Sequence, residues 1–484
     1  MDKGETKGLP AIRAGAVQPP IPVSVHEMPE PPRGLRAWLA YVGPAAIIAA
    51  GGAVGGTELL VIPYLASRGI LSIFWVYTAA TFLTVVLTRV VARWTIVTGE
   101  SAYQLLARFS PRYFWPVMFV VLNILNWWWP SYLVNLGVMV GTVAGVPQAY
   151  PLIGAILGLV CVLLLSVGIK WVYRAVSILY QILCAVAFLT ALVFIPMAVD
   201  AGSWGPVLRG WFASWGQLPI KELGLAGLAG FLTSIIIQPS GGTLNLNQSY
   251  YFREQGYGMG RYIGRLMGLR AKEEEVAAVG ATFNYSDETQ VHRYRGWMSG
   301  VTIVNLVFLV GMSIITPFLY SLAGYGILAV RGIEVSGLKI PVALATIFGE
   351  IMGPVGYGIW MAVIVFMMFN TAFSFFDSNA RMEADLTRSL PWGKGRSYRW
   401  WYYVWMIGQL LFSFATVRLS APLPLFLLMT FFLVATMVIY IPMLLYAENK
   451  WLPTKLRPPL WETVLMGTWT LALAVVTVVW VATR

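Results

Sequence analysis

Long apolar runs constrain this chain more than any other feature. With 58% hydrophobic and only 11% charged residues over 484 positions, the sequence offers no basis for a soluble core. Runs of about twenty residues are long enough to cross a bilayer as helices. We number the predicted helices spans 1 to 11, and they lie near 40–66, 71–97, 113–143, 151–168, 175–199, 223–251, 297–325, 341–376, 400–418, 421–446 and 461–482. The sequence therefore predicts an all-α polytopic membrane protein.

Two of these spans are interrupted by glycine pairs beside polar residues. In span 1 the interruption follows Pro44 and includes Gly51 and Gly52, and in span 6 it follows residues 231–237. Proline and glycine open a helix, and the freed backbone groups find no water inside a bilayer unless they line a cavity. Matching breaks in two halves of a chain indicate the central substrate site of a secondary transporter.

The breaks supply the candidate substrate-binding residues. They are Gly55, Gly56, Thr57 and Glu58 in span 1, and Gln238, Pro239, Ser240, Gly241, Gly242 and Thr243 in span 6. Glu58 is a carboxylate at membrane depth, where an ionisable group is costly and usually functional. Alternatively, Thr57 caps the second half of span 1 and Glu58 only favours the helix dipole. The second break could also be a packing kink, and Asn245, Asn247 and Gln248 after it either line an exit path or bond neighbouring helices.

The break positions also predict the internal organisation. Spans 1–5 and 6–10 form a 5+5 inverted repeat with discontinuous spans 1 and 6, and span 11 is an appended helix. We expect a cytoplasmic tail at 1–37 and a transporter domain at 38–482. Repeat one covers about 38–200, repeat two about 221–447, and the extra helix about 461–482.

The distribution of basic residues predicts the orientation. All but seven of the 33 lysines and arginines fall on one side if the N-terminus is cytoplasmic, which places the C-terminus outside. The exceptions are Arg68, Arg209, Lys221, Arg331, Lys339, Arg418 and Arg484. In a bacterium this would be an inner (cytoplasmic) membrane protein. The hydrophilic segment 253–295, with its charged run at 272–275, is then expected to be a solvated cytoplasmic hairpin.

Several functions have no support in the sequence. The polar, proline-rich first 37 residues lack an apolar signal-peptide core, so we expect span 1 to direct insertion. Cys161 and Cys184 sit in apolar runs and are expected to be buried free thiols. The net charge of +12 follows from topology, so we expect no nucleic-acid partner. No phosphate loop, nucleophile elbow or zinc cluster is present, and we expect neither catalysis nor a cofactor. The expected partners are the lipid bilayer and a small cation or molecule, with a monomer as the expected unit.

Three short segments resemble the natural-resistance-associated macrophage protein (Nramp) family of divalent metal transporters. They are Val-Gly-Pro at 42–44, Val-Thr-Gly-Glu-Ser at 97–101 continuing to Leu105, and Ile-Pro-Met-Leu-Leu-Tyr at 441–446 with Asn449 and Lys450. Their order and spacing extend the resemblance over most of 36–450. The resemblance implies the amino acid-polyamine-cation superfamily fold and transport of a divalent metal ion.

The chain departs from the family at the metal site itself. The family's Asp-Pro-Gly-Asn falls on Val-Gly-Gly-Thr at 54–57, and its Met-Pro-His falls on Gln-Pro-Ser at 238–240. The family's span-10 glutamine is missing near Met429 and Ala435. Glu58 and Gln238 remain the candidate metal ligands, and their oxygens suit harder cations than a thioether does. The proton route is also changed, since span 3 carries asparagines and the only histidines are His26 and His292.

Span 8 carries a second candidate group. Asn370, Ser374 and Asp377 are spaced i, i+4 and i+7 and therefore share one helix face. In the superfamily implied by the resemblance, span 8 meets the unwound part of span 1 and can hold sodium. Asp377 is thus a candidate ligand for a coupling ion or a proton carrier. Alternatively, it forms a structural ion pair with Arg381.

Three functions stay open from the sequence. The leading hypothesis is a secondary transporter of a divalent cation, for which magnesium or manganese with part of its water shell fits best. The alternative is a transporter of a small polar organic solute whose amine meets Glu58 and whose carboxylate meets a half-helix N-terminus. A membrane sensor or scaffold is a third hypothesis, although no signalling domain is recognisable.

Overall fold

The protein is a bundle of membrane-length helices. The computed structural model describes residues 24–34, 37–38, 41, 55–109, 111, 113–167, 170–239, 241–263, 280–307, 311–418 and 422–483. Its α-helices are Ile62–Ser67, Phe74–Thr98, Ala102–Leu106, Phe114–Leu125, Ser131–Val143, Tyr150–Val167, Lys170–Ala198, Ala201–Phe212, Ile220–Ile236, Thr243–Gln255, Glu288–Asn305, Gly311–Ala323, Ala343–Ser389, Tyr398–Thr416, Pro422–Trp451 and Leu460–Ala482. Every predicted span has a helical counterpart, so the predicted fold class is confirmed.

Among the described residues, five helical stretches are long and apolar enough to cross a bilayer. They are Phe74–Thr98, Pro147–Ser166, Gly337–Ser389, Pro422–Trp451 and Leu460–Ala482. In the most apolar part of each span, only 22% of the residues of span 4 and 17% of those of span 11 are buried by protein. In spans 2, 8 and 10 more than 60% of these residues are buried. Spans 2, 8 and 10 therefore form the interior of the bundle, and spans 4 and 11 form its lipid-facing edge.

Span 3 is not the continuous helix that the sequence predicted. One helix ends at Leu125 and the next begins at Ser131, directly after Pro130. Proline lacks the N–H that a continuous helix needs, so the turn at 126–130 divides the span. Trp127 and Trp129 in this turn are buried inside the bundle.

Span 8 is longer than predicted. The sequence ended it at 376, but the helix Ala343–Ser389 continues for more than three further turns, with a kink at Gly353 before Pro354. The prediction was wrong because polar residues were taken as a sign of solvent. In the structure many of them, including Asp377 and Glu383, are buried against neighbouring helices.

Buried charges attach the appended span 11 to the bundle. Arg93 of span 2 donates to Glu448 of span 10 at 2.6 Å and also pairs with Glu462 of span 11. Arg89 contacts the same Glu462 at 2.6 Å. Two arginines and two glutamates balance one another, which makes their burial tolerable.

The N-terminal tail and the 253–295 segment are not simply solvated. Residues Ser24–Val25 pair in parallel with Ala281–Thr282 as a two-stranded sheet. Met28 is fully buried, and Trp297 donates to the carbonyl of Pro29 at 2.9 Å. In the second segment Met259 is fully buried. The prediction of a solvated hairpin is wrong for these parts, while the charged run at 272–275 lies outside the described residues.

Smaller predictions also have outcomes. Cys161 is a buried free thiol as expected, and the side chain of Cys184 is outside the described part. A Cβ on Gly137 would lie 2.2 Å from the carbonyl oxygen of Tyr150, so this glycine allows spans 3 and 4 to approach closely. The helix Ala201–Phe212, between spans 5 and 6, was not predicted. Its Trp211 stacks on Phe74 at 5.3 Å between ring centroids.

Candidate functional site

Span 6 is broken where the sequence placed the interruption. Its first helix ends at Ile236, and the second begins at Thr243 after Gly242, whose φ of 67° and ψ of −147° suit only glycine. Residues 237–242 separate the two helices, and the peptide bond between Gln238 and Pro239 is cis. Ser240 lies outside the described residues. Span 6 is therefore a discontinuous helix.

Span 1 is described only from Gly55 onward. A single π-helical turn, Thr57–Val61, leads into the helix Ile62–Ser67, with Leu59 N–H donating to the carbonyl of Gly55 at 3.0 Å. The residue at the N-cap is Gly56, and no side chain caps this end. The capping role considered for Thr57 is therefore wrong. The first half of span 1, including Pro44, Gly51 and Gly52, lies outside the described residues.

Thr57 and Gln238 join the two breaks directly. The Thr57 hydroxyl donates to the carbonyl of Ser234 at 2.9 Å and accepts from the Gln238 amide at 2.6 Å. All three groups are buried, so no water competes for these bonds. Two predicted site segments that are about 180 residues apart in sequence thus meet through side chains.

Glu58 lies buried beside this link. Its Oε1 accepts from the Tyr77 hydroxyl of span 2 at 2.5 Å, and Tyr132 of span 3 interacts with it electrostatically. Its Oε2 is buried and has no hydrogen-bond partner among the described residues. No described arginine, lysine or histidine forms an ion pair with it. A buried carboxylate in this setting favours a ligand that brings positive charge.

Span 10 closes the site from one side. A Cβ on Gly56 would lie 2.2 Å from the Phe426 ring, and a Cβ on Gly242 would lie 2.6 Å from Leu433. Phe426 and Leu433 are seven residues apart and therefore share one face of the span-10 helix. The two glycines let both breaks pack against the same helix.

Hydrogen bonds also fix the backbone of the second break. Thr84 of span 2 donates to the carbonyl of Gln238 at 3.0 Å, and Tyr440 of span 10 donates to the carbonyl of Gly242 at 2.9 Å. The Gly241 N–H donates to the carbonyl of Ile237. Carbonyls freed by the break are thus held by neighbouring helices, as a break inside a bilayer requires.

The ligands available to a metal ion are few. The described residues contain no group of three or more histidine, cysteine or acidic side chains. Around the two breaks the structure provides one carboxylate, Glu58, with the neutral oxygens of Gln238 and Thr57 beside it. A divalent ion at this point would keep part of its hydration shell, because protein oxygens alone cannot fill its coordination.

The predicted span-8 group is arranged differently. Arg381 donates to both carboxylate oxygens of Asp377 at 3.0 Å, and Tyr402 donates to Oδ1 at 2.7 Å. Asn370 is buried and Ser374 partly buried on the same helix. None of the three forms a hydrogen bond with the described part of span 1. The Asp377 carboxylate is therefore already satisfied by protein groups, which agrees with the structural ion pair.

Sequence reasoning missed several residues of this region. Tyr77 and Ser234 lie in apolar runs, where a single hydroxyl gives no signal of its role. Glu383 lies beyond the predicted end of span 8 at 376, so sequence reasoning did not single it out. Asn245 donates to Thr88 of span 2 at 3.3 Å, which agrees with the alternative that it bonds a neighbouring helix.

Comparisons with known proteins bear on the fold. No protein-family model matches the sequence, and no curated protein matches it. Among solved structures, the manganese transporter of Eremococcus coleocola is similar. Two mutants of that transporter, with one glutamate replaced by glutamine or by alanine, each give a TM-score of 0.66 at 15% identity, covering 94% of this chain and 88% of theirs. The same transporter in complex with an aromatic bis-isothiourea substituted compound gives 0.65 at 16% identity, covering 94% and 89%.

The likeness is one of fold. It extends over nearly the whole chain, so the arrangement of helices in this protein is similar to that of the Eremococcus coleocola protein. The fold that the resemblance implied is therefore confirmed, whereas membership of the family stays a prediction. At 15–16% identity the comparison does not carry ligands from one chain to the other.

Proposed function

We propose that this protein is a secondary transporter that moves a divalent metal cation through a central site between spans 1 and 6. The observation that carries the proposal is the buried Glu58 carboxylate, with an unpartnered Oε2, beside the Thr57–Gln238 bond that joins the two breaks. A bound cation would supply the positively charged partner that the Glu58 carboxylate does not have among the described residues. The metal-transporter fold supports the same conclusion.

The donor set argues for a hard cation. Carboxylate, amide and hydroxyl oxygens suit magnesium or manganese, and the thioether expected from the family is replaced by Gln238. With one carboxylate available, the bound ion retains several waters. We propose Glu58 as the charged ligand and Gln238 as a neutral one, with Gly55, Gly56, Ser240 and Thr243 providing backbone or hydroxyl oxygens.

A small polar organic solute is the second candidate. The helix Thr243–Gln255 has Gly242 at its N-cap and no side-chain cap, so its first N–H groups are available to a carboxylate. An amine on the same solute would meet Glu58. This candidate needs only one protein carboxylate.

Calorimetry on purified protein separates the two candidates. Under the cation proposal, magnesium or manganese binds saturably to wild type, Glu58→Gln abolishes binding, and Gln238→Met shifts preference toward softer ions such as cadmium. Glu350→Gln is the matched control, because Glu350 lies half-exposed and paired with Arg331. Its binding isotherm should match that of the wild type.

The opposite result is equally clear. If neither ion gives heat with the wild type, the cation proposal is wrong. A screen of amino acids should then find a ligand that Glu58→Gln weakens by about 1.5–3 kcal/mol, as for one lost charged hydrogen bond.

The location of the protein is part of the same proposal. We place it in the cytoplasmic membrane with its N-terminus inside and its C-terminus outside, as the basic residues indicate. Two inverted repeats, about 38–200 and 221–447, would then rock around the central site. Asn370, Ser374 and Asp377 remain candidates for coupling, although Arg381 already occupies the carboxylate.

A further inference from the structure

The N-terminal residues run along one face of span 7. We define the strap as residues 24–34 together with Trp38 and Tyr41. Its partners on the first helix of span 7, Glu288–Asn305, are spaced three, four and three residues apart and therefore share one face. They are Gln290, Arg293, Trp297 and Gly300. The strap follows this helix for about three turns and then leads into span 1.

Hydrogen bonds to the backbone fix the position of the strap on span 7. The Met28 N–H donates to Oε1 of Gln290 at 3.2 Å, and Arg293 donates to the Met28 carbonyl at 3.0 Å. The Trp297 indole N–H donates to the carbonyl of Pro29 at 2.9 Å. Among the described side chains at 25–34, only Met28 and Pro29 are buried. The strap is therefore held by a few contacts and has no core of its own.

The charged contacts of the strap are exposed. Arg293 pairs with Glu27 at 2.6 Å and with Glu30 at 3.4 Å, but the two glutamates are 70% and 56% exposed. Exposed ion pairs contribute little to stability, because water and salt screen them. Segments with few buried contacts open at low cost while the rest of a protein stays folded. The strap can therefore detach without unfolding of the helix bundle.

An aromatic cluster lies where the strap meets span 1. Trp38 packs edge-on against Trp297 at 5.6 Å between ring centroids, and Tyr41 packs against the same ring at 5.3 Å. Tyr257, which follows the second half of span 6, contacts both Trp38 and Tyr41. Its hydroxyl donates to the carbonyl of Tyr41. The cluster joins the entry to span 1 with spans 6 and 7.

The strap crosses from one predicted repeat to the other. The partners named above all lie at 257–300, within predicted repeat two, yet the strap leads directly into span 1 of predicted repeat one. These segments share the predicted cytoplasmic side. A movement that separates span 1 from spans 6 and 7 on that side must first break the aromatic cluster or detach the strap. The strap is therefore placed to control how readily the inner side opens.

We propose that the N-terminal strap is a releasable element that holds the inner side of the protein closed. This inference rests on the proposed transport function, because the strap can restrain only repeats that move. Docking on span 7 stabilises the closed arrangement, and detachment increases the population of the open one. The strap supplies none of the residues proposed for the central site, so its release changes the rate of transport and not the choice of substrate.

Two substitutions release the strap in different ways. Met28→Asp places a charge in a buried apolar contact, and the strap can expose this charge only by detaching. Gly296→Ala acts from span 7, because the new Cβ would lie 2.6 Å from Cγ of Pro31. Alanine is otherwise more favourable than glycine inside a helix, so span 7 itself should fold normally.

The steric release has a rescue and a control. Pro31→Ala removes the atom that the new Cβ meets, so the Gly296→Ala, Pro31→Ala double variant should dock again. Gly311→Ala, on the same span, is the matched control, because a Cβ there meets no atom within 4 Å. It should behave as the wild type in every measurement.

Hydrogen exchange measures docking without any substrate. The amides of His26 and Met28 should be protected in the wild type, since they donate to the carbonyl of Thr282 and to Gln290. Gly296→Ala should speed their exchange about 5- to 150-fold, the range expected for overpacking, and Met28→Asp should act in the same direction. Rapid exchange in the wild type would overturn the proposal, and so would unchanged exchange in Met28→Asp.

Alkylation of a buried cysteine measures opening. Asn247, in the second half of span 6, is 2% exposed and its amide has no partner among the described residues, so Asn247→Cys should be tolerated. With Cys161 and Cys184 replaced by alanine, both released variants should be alkylated faster than the parent, and the rescued double variant should not. A strap that detaches without any change in alkylation would be a packing element, and the proposal would be wrong.

Uptake separates this inference from the proposed function. Magnesium or manganese uptake into proteoliposomes should be faster in Met28→Asp and Gly296→Ala than in the wild type, with an unchanged preference between the two ions. Unchanged or slower uptake in both variants would overturn the control by the strap. Absence of uptake in every variant and in the wild type would instead contradict the proposed function, while exchange and alkylation would still test the strap.

Discussion

Replacing Gly56 with alanine should disrupt the first break by a steric clash with span 10. The new Cβ would lie 2.2 Å from the Phe426 ring, about 1.5 Å closer than an ordinary carbon contact. Phe426 is fully buried and held edge-on by Tyr132, so the ring has little room to move. Overpacking of this kind costs about 1–3 kcal/mol. When this strain falls on the conformation that binds the substrate, 1.4 kcal/mol is a factor of ten, so uptake should fall about 5- to 150-fold.

The assay combines metal uptake in proteoliposomes with thermal unfolding. Gly467→Ala is the matched control, because a Cβ there meets no atom within 4 Å, and it should behave as wild type. Phe426→Leu removes the ring and should partly rescue Gly56→Ala, with a coupling energy of about 1–3 kcal/mol in a double-mutant cycle. Wild-type uptake and stability in Gly56→Ala would refute the steric reasoning. Failure of the rescue would show that Phe426 is not the obstacle.

Gly242 gives a contrasting case at the second break. Alanine there would meet Leu433 at 2.6 Å and would also need a positive φ of 67°. Removing the contact with Leu433→Ala leaves the backbone strain, so the rescue seen for Gly56 should not occur. Restored uptake in the Gly242→Ala, Leu433→Ala double variant would contradict the strain argument.

Three further changes test individual contacts. Thr57→Val removes both hydrogen bonds between the breaks and should lower the free energy of unfolding by about 1–3 kcal/mol, measured by denaturation in detergent. Asp377→Asn should cost about 3 kcal/mol by leaving Arg381 underpaired, whereas altered sodium or pH dependence with unchanged stability would favour the coupling role. The Thr289 N–H lowers the pKa of the exposed Asp287 carboxyl. The ionised Asp287 side chain caps the helix Glu288–Asn305, and this cap is fully formed at pH values above the ordinary carboxyl pKa. Amide protection in the first turn of that helix should therefore fall only as the pH drops below the ordinary pKa and through the lowered pKa of Asp287.

The sequence by itself determined the helical membrane fold and the position of the break in span 6. The length of an apolar run predicts a membrane-spanning helix whatever other helices pack around it, because lipid forces the backbone to satisfy its own hydrogen bonds. Gly241, Gly242 and Pro239 predicted the interruption of span 6 for a similarly local reason, namely that their backbone chemistry opens a helix. Glu58 stood out because a charge in an apolar run is rare.

Tertiary structure decided which polar groups meet. The Thr57–Gln238 bond joins residues 181 positions apart, and no local pattern encodes it. Whether a polar residue ends a helix or is buried depends on what packs against it, which is why span 8 was predicted too short and Glu383 was overlooked. Asp377 and Glu383 are both acids on one helix, yet the first faces Arg381 and the second faces Trp127. The partner, supplied by folding, determines whether such an acid is satisfied by an ion pair or by a neutral donor.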